Sequence, residues 1–148
     1  MLMKFSSGFA KKRLLIITII SLLIVSLISA VIYFFIDYSQ KIEAQAVSSS
    51  LVDSINNKDS DTGYNLFTEP YKEEINIYGW YIWSKDLTDN KLSVSNTPKS
   101  TTRDDFFNLL NPKFKIIYDI SDGQQLELAV SKIDGKYGIS YFSIIRDK

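Results

Sequence analysis

One stretch governs this chain: Leu14–Ile36, "LLIITIISLLIVSLISAVIYFFI", 23 residues without a charge, a proline or a glycine. At 1.5 Å rise per residue, about 20 apolar residues cross the hydrocarbon core of a bilayer, so this run spans one with some tilt. Its Thr and Ser hydroxyls can return their hydrogen bonds to the helix backbone and cost little there. Lys11, Lys12 and Arg13 directly precede the run and point the N-terminus to the cytoplasm by the positive-inside rule. Tyr33 and Tyr38 suit the opposite interface. A cleaved signal peptide is the rival reading, with Ser26 and Ser29 as small residues before a cut. The apolar run continues as "AVIYFFI", which is too long for a segment that ends at a cleavage site. The expected organisation is therefore a basic cytoplasmic tail (1–13), a transmembrane helix (14–36) and an extracytoplasmic domain (37–148), in a single-pass protein of the cell membrane.

Charge follows the same division. Lys plus Arg and Asp plus Glu both total 17 in 148 residues. Yet every acidic residue lies at Asp37 or later, so the tail carries +4 and the rest −4. An acidic domain without a basic cluster argues against nucleic-acid binding. Cysteine is absent, which removes a lipidated N-terminal cysteine and a disulfide framework. "GFAKKR" departs from a pilin leader, because Arg13 stands where that pattern has glutamate.

Beyond Gln40 the pattern is helical. Ala44, Val47, Leu51 and Ile55 recur at three- and four-residue steps, with Glu43, Ser48, Ser49 and Asp53 turned away. Asn56-Asn57 should stop this helix by adopting the left-handed conformation. Asp59, Ser60 and Asp61 are N-caps for a second helix through Tyr64, Leu66 and Phe67. Asn57, Asp59 and Asp61 alternate as calcium-loop ligands do, but neither register supplies the glycine at position six or the glutamate at twelve. Pro70 suits the first turn of a third helix, with Glu73 and Glu74 near its N-terminal end. Tyr71, Ile75, Tyr78 and Ile82 form its stripe, although the β-branched and aromatic content of residues 75–83 leaves helix and strand both open. Residues 86–103 read as a loop around a short strand at 91–95, and "TTRDDFFNLLNP" as a short helix capped by Thr102. The remainder is a three-stranded meander. Phe114–Ile120, Leu126–Val130 and Tyr137–Tyr141 alternate in polarity around Asp122-Gly123 and Asp134-Gly135, dipeptides that favour two-residue hairpins.

The opening "AVSSSLVDSINNKDSDTGYNLFT" and the closing "DGKYGISYF" resemble membrane-anchored members of the NTF2-like (cystatin-like α+β cone) superfamily. Tyr137 stands where many relatives have tryptophan, and Gly138 where they have a bulky residue. The resemblance implies an α+β fold, helices packed on a curved antiparallel sheet that encloses a cone-shaped pocket. It also implies either a small-ligand or lyase-type activity in that pocket, or a binding and assembly role such as that of bitopic subunits of secretion machines.

The chemistry favours binding over catalysis. With no His and no Cys, the usual general base, zinc ligand and thiol nucleophile are missing. Tyr118 and Asp119 could serve a cone pocket, but alternation turns Asp119 away from the apolar face. Glu73-Glu74 and Asp104-Asp105 read as helix N-terminal acids, and no phosphate loop is present. The sequence thus gives no catalytic residue, no metal site and no cofactor. The unusual stretch is "IYGWYIW", which holds both tryptophans. Tyr78, Trp80, Tyr81 and Trp83 are the candidate partner or ligand surface, since Trp and Tyr dominate binding hot spots; the competing reading makes them core. The expected partners are membrane lipid through residues 14–36 and a protein of a cell-envelope or secretion complex; a sensor or immunity module is the other class. Homo-oligomerisation is compatible with the sequence, although residues 14–36 lack a Gly-x-x-x-Gly pair to drive it.

Overall fold

A computed structural model describes residues 7–105 and 108–146. The chain divides after Asp37 into two units. Helix α1 runs Ser7–Asn56. Within it, an 18-residue window reaches a mean hydropathy of 3.0 with none of it buried, so the helix is long and apolar enough to cross a membrane. Two hydroxyls in this stretch satisfy themselves locally: Thr18 donates to the Leu14 carbonyl and Ser29 to that of Val25, both at 2.9 Å.

The second unit is α+β. Helices α2 (Ser60–Asn65), α3 (Glu69–Glu74) and α4 (Ile77–Asp89) precede strands β1 (Ser100–Arg103), β2 (Lys113–Asp119), β3 (Gln124–Ile133) and β4 (Lys136–Arg146). The strands form one antiparallel sheet in the order β1-β2-β3-β4. Period-two alternation sorts its faces: Phe114, Ile116, Tyr118, Leu126, Leu128 and Val130 are all buried. They join Ala44, Leu51, Val52 and Ile55 of α1 in one apolar core. Ser48, which the helical stripe turned outward, is instead fully buried. Its hydroxyl meets the Tyr118 hydroxyl at 2.7 Å, so the pair satisfies itself in the core.

Each corner has a chemical cause. The left-handed residue after α1 is Lys58 (φ 61°), not Asn56 or Asn57. Asn56 works through its side chain, whose amide donates to the Val94 carbonyl (2.9 Å) and accepts from the Val94 N–H (3.0 Å), standing in for a strand. Asp59 caps α2 by accepting from the Thr62 N–H and hydroxyl; these bonds hold its carboxyl below the usual carboxylate range. Pro70 lies in the first turn of α3. Asp134 and Gly135 both have positive φ, as a two-residue primed turn requires. The other turn is longer: the Gly123 N–H donates to Ile120 and the Ile120 N–H to Gln124, with Gly123 alone at positive φ. It is a three-residue hairpin closed by a glycine bulge rather than a two-residue one.

Further expectations need correction. Residues 77–83 are helical, but Ile75 is extended and separates α3 from α4, so Tyr71, Ile75, Tyr78 and Ile82 do not share one stripe. Tyr71 and Ile75 pack on the core, while Tyr78 and Ile82 face out. Thr101 and Thr102 lie in β1, so Thr102 caps no helix; β-branched propensity prevails over the capping pattern there. Phe106 and Phe107 of that stretch lie outside the described residues. In β4 the alternation breaks at a bulge: Ala129 pairs with Tyr141 and Val130 with Ile139, leaving Ser140 extra. Beyond it Phe142 and Ile144, not Tyr141, pack on the core.

Candidate functional site: the aromatic helix

Helix α4 carries all four aromatic candidates, and its 3.6-residue period divides them between two faces. Trp80 and Trp83, three residues apart, share the inner face and stack at 5.3 Å. Trp80 is fully buried, and its indole N–H donates to the Ser60 carbonyl at 2.8 Å. Around it the rings of Phe67 (4.9 Å) and Phe142 (5.8 Å) meet it edge-on. Trp83, partly buried, lies 4.5 Å from Phe142. These rings fill the space between α4 and the sheet.

Two glycines make this packing fit. A Cβ on Gly63 would come within 2.5 Å of the Ser54 hydroxyl and 2.6 Å of the Trp80 ring. Gly63 therefore lets α2 approach the indole. Gly138 explains the small residue in β4: a Cβ there would lie 2.9 Å from the Thr68 methyl and 3.2 Å from the Leu66 carbonyl. That clearance lets Leu66–Thr68 run beside β4 and bond it in parallel, Thr68 N–H to Ile139 O (2.9 Å) and Ile139 N–H to Leu66 O (2.8 Å).

The outer face of α4 presents Tyr78, 73% exposed, with Ile82 and the half-exposed Tyr81. The Tyr81 hydroxyl donates to Asp61. Beside it an open groove of about 470 Å³ is lined by Asp59, Asp61, Tyr81, Ile82, Lys85 and others. The four sequence candidates are thus not one surface: two are interior and two exterior. The interior partner that sequence reasoning missed is Phe142, hidden by the bulge.

Other chemistry-bearing residues are dispersed. Asp119 is solvent-facing and pairs with Lys99 at 3.3 Å, while the neighbouring Tyr118 is wholly buried. Tyr71 accepts a hydrogen bond from the Phe142 N–H at 3.3 Å, and burial pushes its phenol pKa up. Lys115 and Glu127 form a 2.5 Å ion pair that raises the lysine pKa. Among the described residues no three acidic side chains converge as metal ligands. Asp104 and Asp105 follow β1 directly, without a helix among the described residues. Lys12 and Arg13 are exposed on α1 just before its apolar stretch, and Lys11 belongs to the same helix. No protein-family model matches the chain, and no curated protein matches it.

Proposed function

We propose that residues 14–36 span the cell membrane, with residues 1–13 in the cytoplasm and residues 37–148 outside, and that the exported α+β domain is an NTF2-like binding or scaffold module. Its role on this reading is that of an accessory component of a cell-envelope or secretion complex. The observation that carries the proposal is the run from Leu14 to Ile36, in which every side chain but the half-buried Tyr33 stands exposed around a helix. In water this would be a very large apolar surface; in lipid it costs nothing. Lys11, Lys12 and Arg13 support the inward N-terminus.

The domain's interior supports binding over catalysis. Trp80, Phe67 and Phe142 fill the space between α4 and the sheet with one another's rings, which weighs against a small ligand held at that place. The surface offered to a protein partner on this reading is the outer face of α4, Tyr78 and Ile82 with Tyr81, an aromatic and aliphatic patch of hot-spot composition.

The chain has no cysteine, so single cysteines report topology cleanly. A cysteine at Asp61 should react with a membrane-impermeant maleimide in intact cells or spheroplasts, and one at Ser7 should not. The reverse pattern would overturn the topology, and a mature N-terminus near Ala30 would replace the anchor with a cleaved signal. For the partner surface, Tyr78→Ala combined with Ile82→Ala should abolish co-purification of envelope partners without changing the melting temperature. Retained complexes would remove α4 as the docking face.

A further inference from the structure

The segment after β1 is tied to the start of the second unit. Gln40 of α1 donates to the Leu109 carbonyl at 2.7 Å, while its own side-chain oxygen accepts from Arg103 at 2.8 Å. Arg103 also donates to the carbonyls of Asn108 (3.0 Å) and Asp105 (3.0 Å). The Asn108 side chain accepts from the Asn111 N–H. Further along, the Lys132 N–H donates to the Pro112 carbonyl at 3.1 Å, which joins the same segment to the β3–β4 hairpin. These bonds hold Asn108–Pro112 in place and leave Leu110 standing out, 85% exposed. Within the second unit no other large apolar side chain among the described residues is as exposed.

Two further facts bear on what covers it. Ile133, at the hairpin tip, is also exposed. It borders an open groove of about 450 Å³ together with Asn108, Asn111, Lys113, Lys132 and the acids Asp105 and Asp134. Apolar tips are therefore interleaved with lysines, and the exposed Lys136 follows in the same hairpin. Second, Gln40 comes only four residues after Ile36, the last residue of the apolar run. Four residues reach at most about 14 Å even when fully extended. By chain length alone, the segment bonded to Gln40 is held close to wherever that run ends.

We infer that Leu110 and Ile133, flanked by Lys113, Lys132 and Lys136, form a seat that rests on the phospholipid surface. The inference depends on residues 14–36 spanning the bilayer and goes beyond that span to a second contact made by the folded domain. Leucine and isoleucine enter the boundary between headgroups and acyl chains, and the lysines extend their heads to the phosphates. A second contact of this kind would fix the attitude of the domain at the surface, because its attachment four residues from the apolar run supplies a high effective concentration there.

The test uses the full chain reconstituted in phosphatidylcholine–phosphatidylglycerol vesicles, with single cysteines carrying an environment-sensitive fluorophore. Labels at Leu110→Cys and Ile133→Cys should emit as in an apolar medium and be quenched by lipids bearing a nitroxide near the headgroup. A label at Asp122→Cys should remain water-like, since the ten residues of β3 place that turn roughly 30 Å from Ile133. Adding Leu110→Asp to the Ile133→Cys protein should remove most of its quenching. A label at Leu22→Cys separates the two ideas, since it must be quenched by a deep nitroxide if the run spans. Deep quenching at Leu22 with water-like emission at Leu110 and Ile133 would overturn the seat alone. Water-like emission at Leu22 would overturn the span and the seat together.

Discussion

Replacing Trp80 by alanine should be the most damaging single change in the second unit. The side chain is fully buried, and its neighbours Phe67, Trp83 and Phe142 lie with ring centroids 4.9 to 5.8 Å away. Large aromatic deletions cost about 3–5 kcal/mol, through lost transfer energy and the cavity left behind. The indole N–H also satisfies the Ser60 carbonyl at 2.8 Å, and losing that bond adds about 1 kcal/mol. The sum is on the order of the whole stability of a small domain. Trp80→Phe keeps a ring but loses the bond and part of the volume, so it should fall well between wild type and alanine. Tyr78→Ala, two residues away on the exposed face, should stay within about 0.5 kcal/mol of wild type. Guanidinium titration of the full chain in detergent, followed by near-ultraviolet circular dichroism, would separate the three. Equal midpoints for Trp80→Ala and Tyr78→Ala would refute both the division of α4 into faces and the packing derived from it.

Glycine offers a paired measurement. Gly63→Ala drives a methyl into Trp80 and Ser54 and should destabilise by about 1–3 kcal/mol. Gly79→Ala, with nothing within 4 Å of the new carbon, should add about 0.5–1 kcal/mol of helix stability, and thermal melts would give the two opposite signs. The Thr68 hydroxyl is buried without a hydrogen-bond partner; Thr68→Val should therefore stabilise by about 1 kcal/mol, read as a higher denaturation midpoint, and a drop would mean that the hydroxyl is satisfied. Because burial raises the Tyr71 pKa in the folded state, the stability this phenol contributes is complete below about pH 10 and fades as pH climbs through the folded value. Melts taken across that range should fall more steeply for the wild type than for Tyr71→Phe, and parallel curves would contradict the shift.

What the sequence revealed depended on how local the cause was. The apolar run, the Asp59 cap, the proline at α3 and the meander each follow from residues within a few positions of one another. The division of α4 into faces needed only the choice of helix over strand, which β-branched and aromatic residues obscured. Four features had distant causes. Ser48 is buried because Tyr118, 70 positions away, brings a hydroxyl to it. Gly138 is small because Leu66–Thr68 passes over it. Strand β1 forms because β2 offers Phe114–Ile117 as its partner, against a local pattern that reads as a capped helix. Leu110 reads as one more apolar residue until the Gln40–Leu109 bond gives it a location. No local signal could have found that bond.

The bulge in β4 also determines how this strand can change length. In a regular strand, adding or removing one residue inverts every side chain beyond it. Such a change between Gln124 and Ala129, or after Phe142, would carry core residues into solvent. Ser140 is different, because it is the supernumerary residue: Ile139 faces Val130 and Tyr141 faces Ala129 with or without it. Its deletion leaves Phe142 and Ile144 on the core side and forfeits the local bend, along with the hydroxyl contacts to Ser131 (2.8 Å) and the Ala129 carbonyl (3.2 Å). In evolutionary terms, Ser140 is the position at which β4 can lose a residue and keep its parity, so descendants of this chain should vary in length there before they vary elsewhere in the strand.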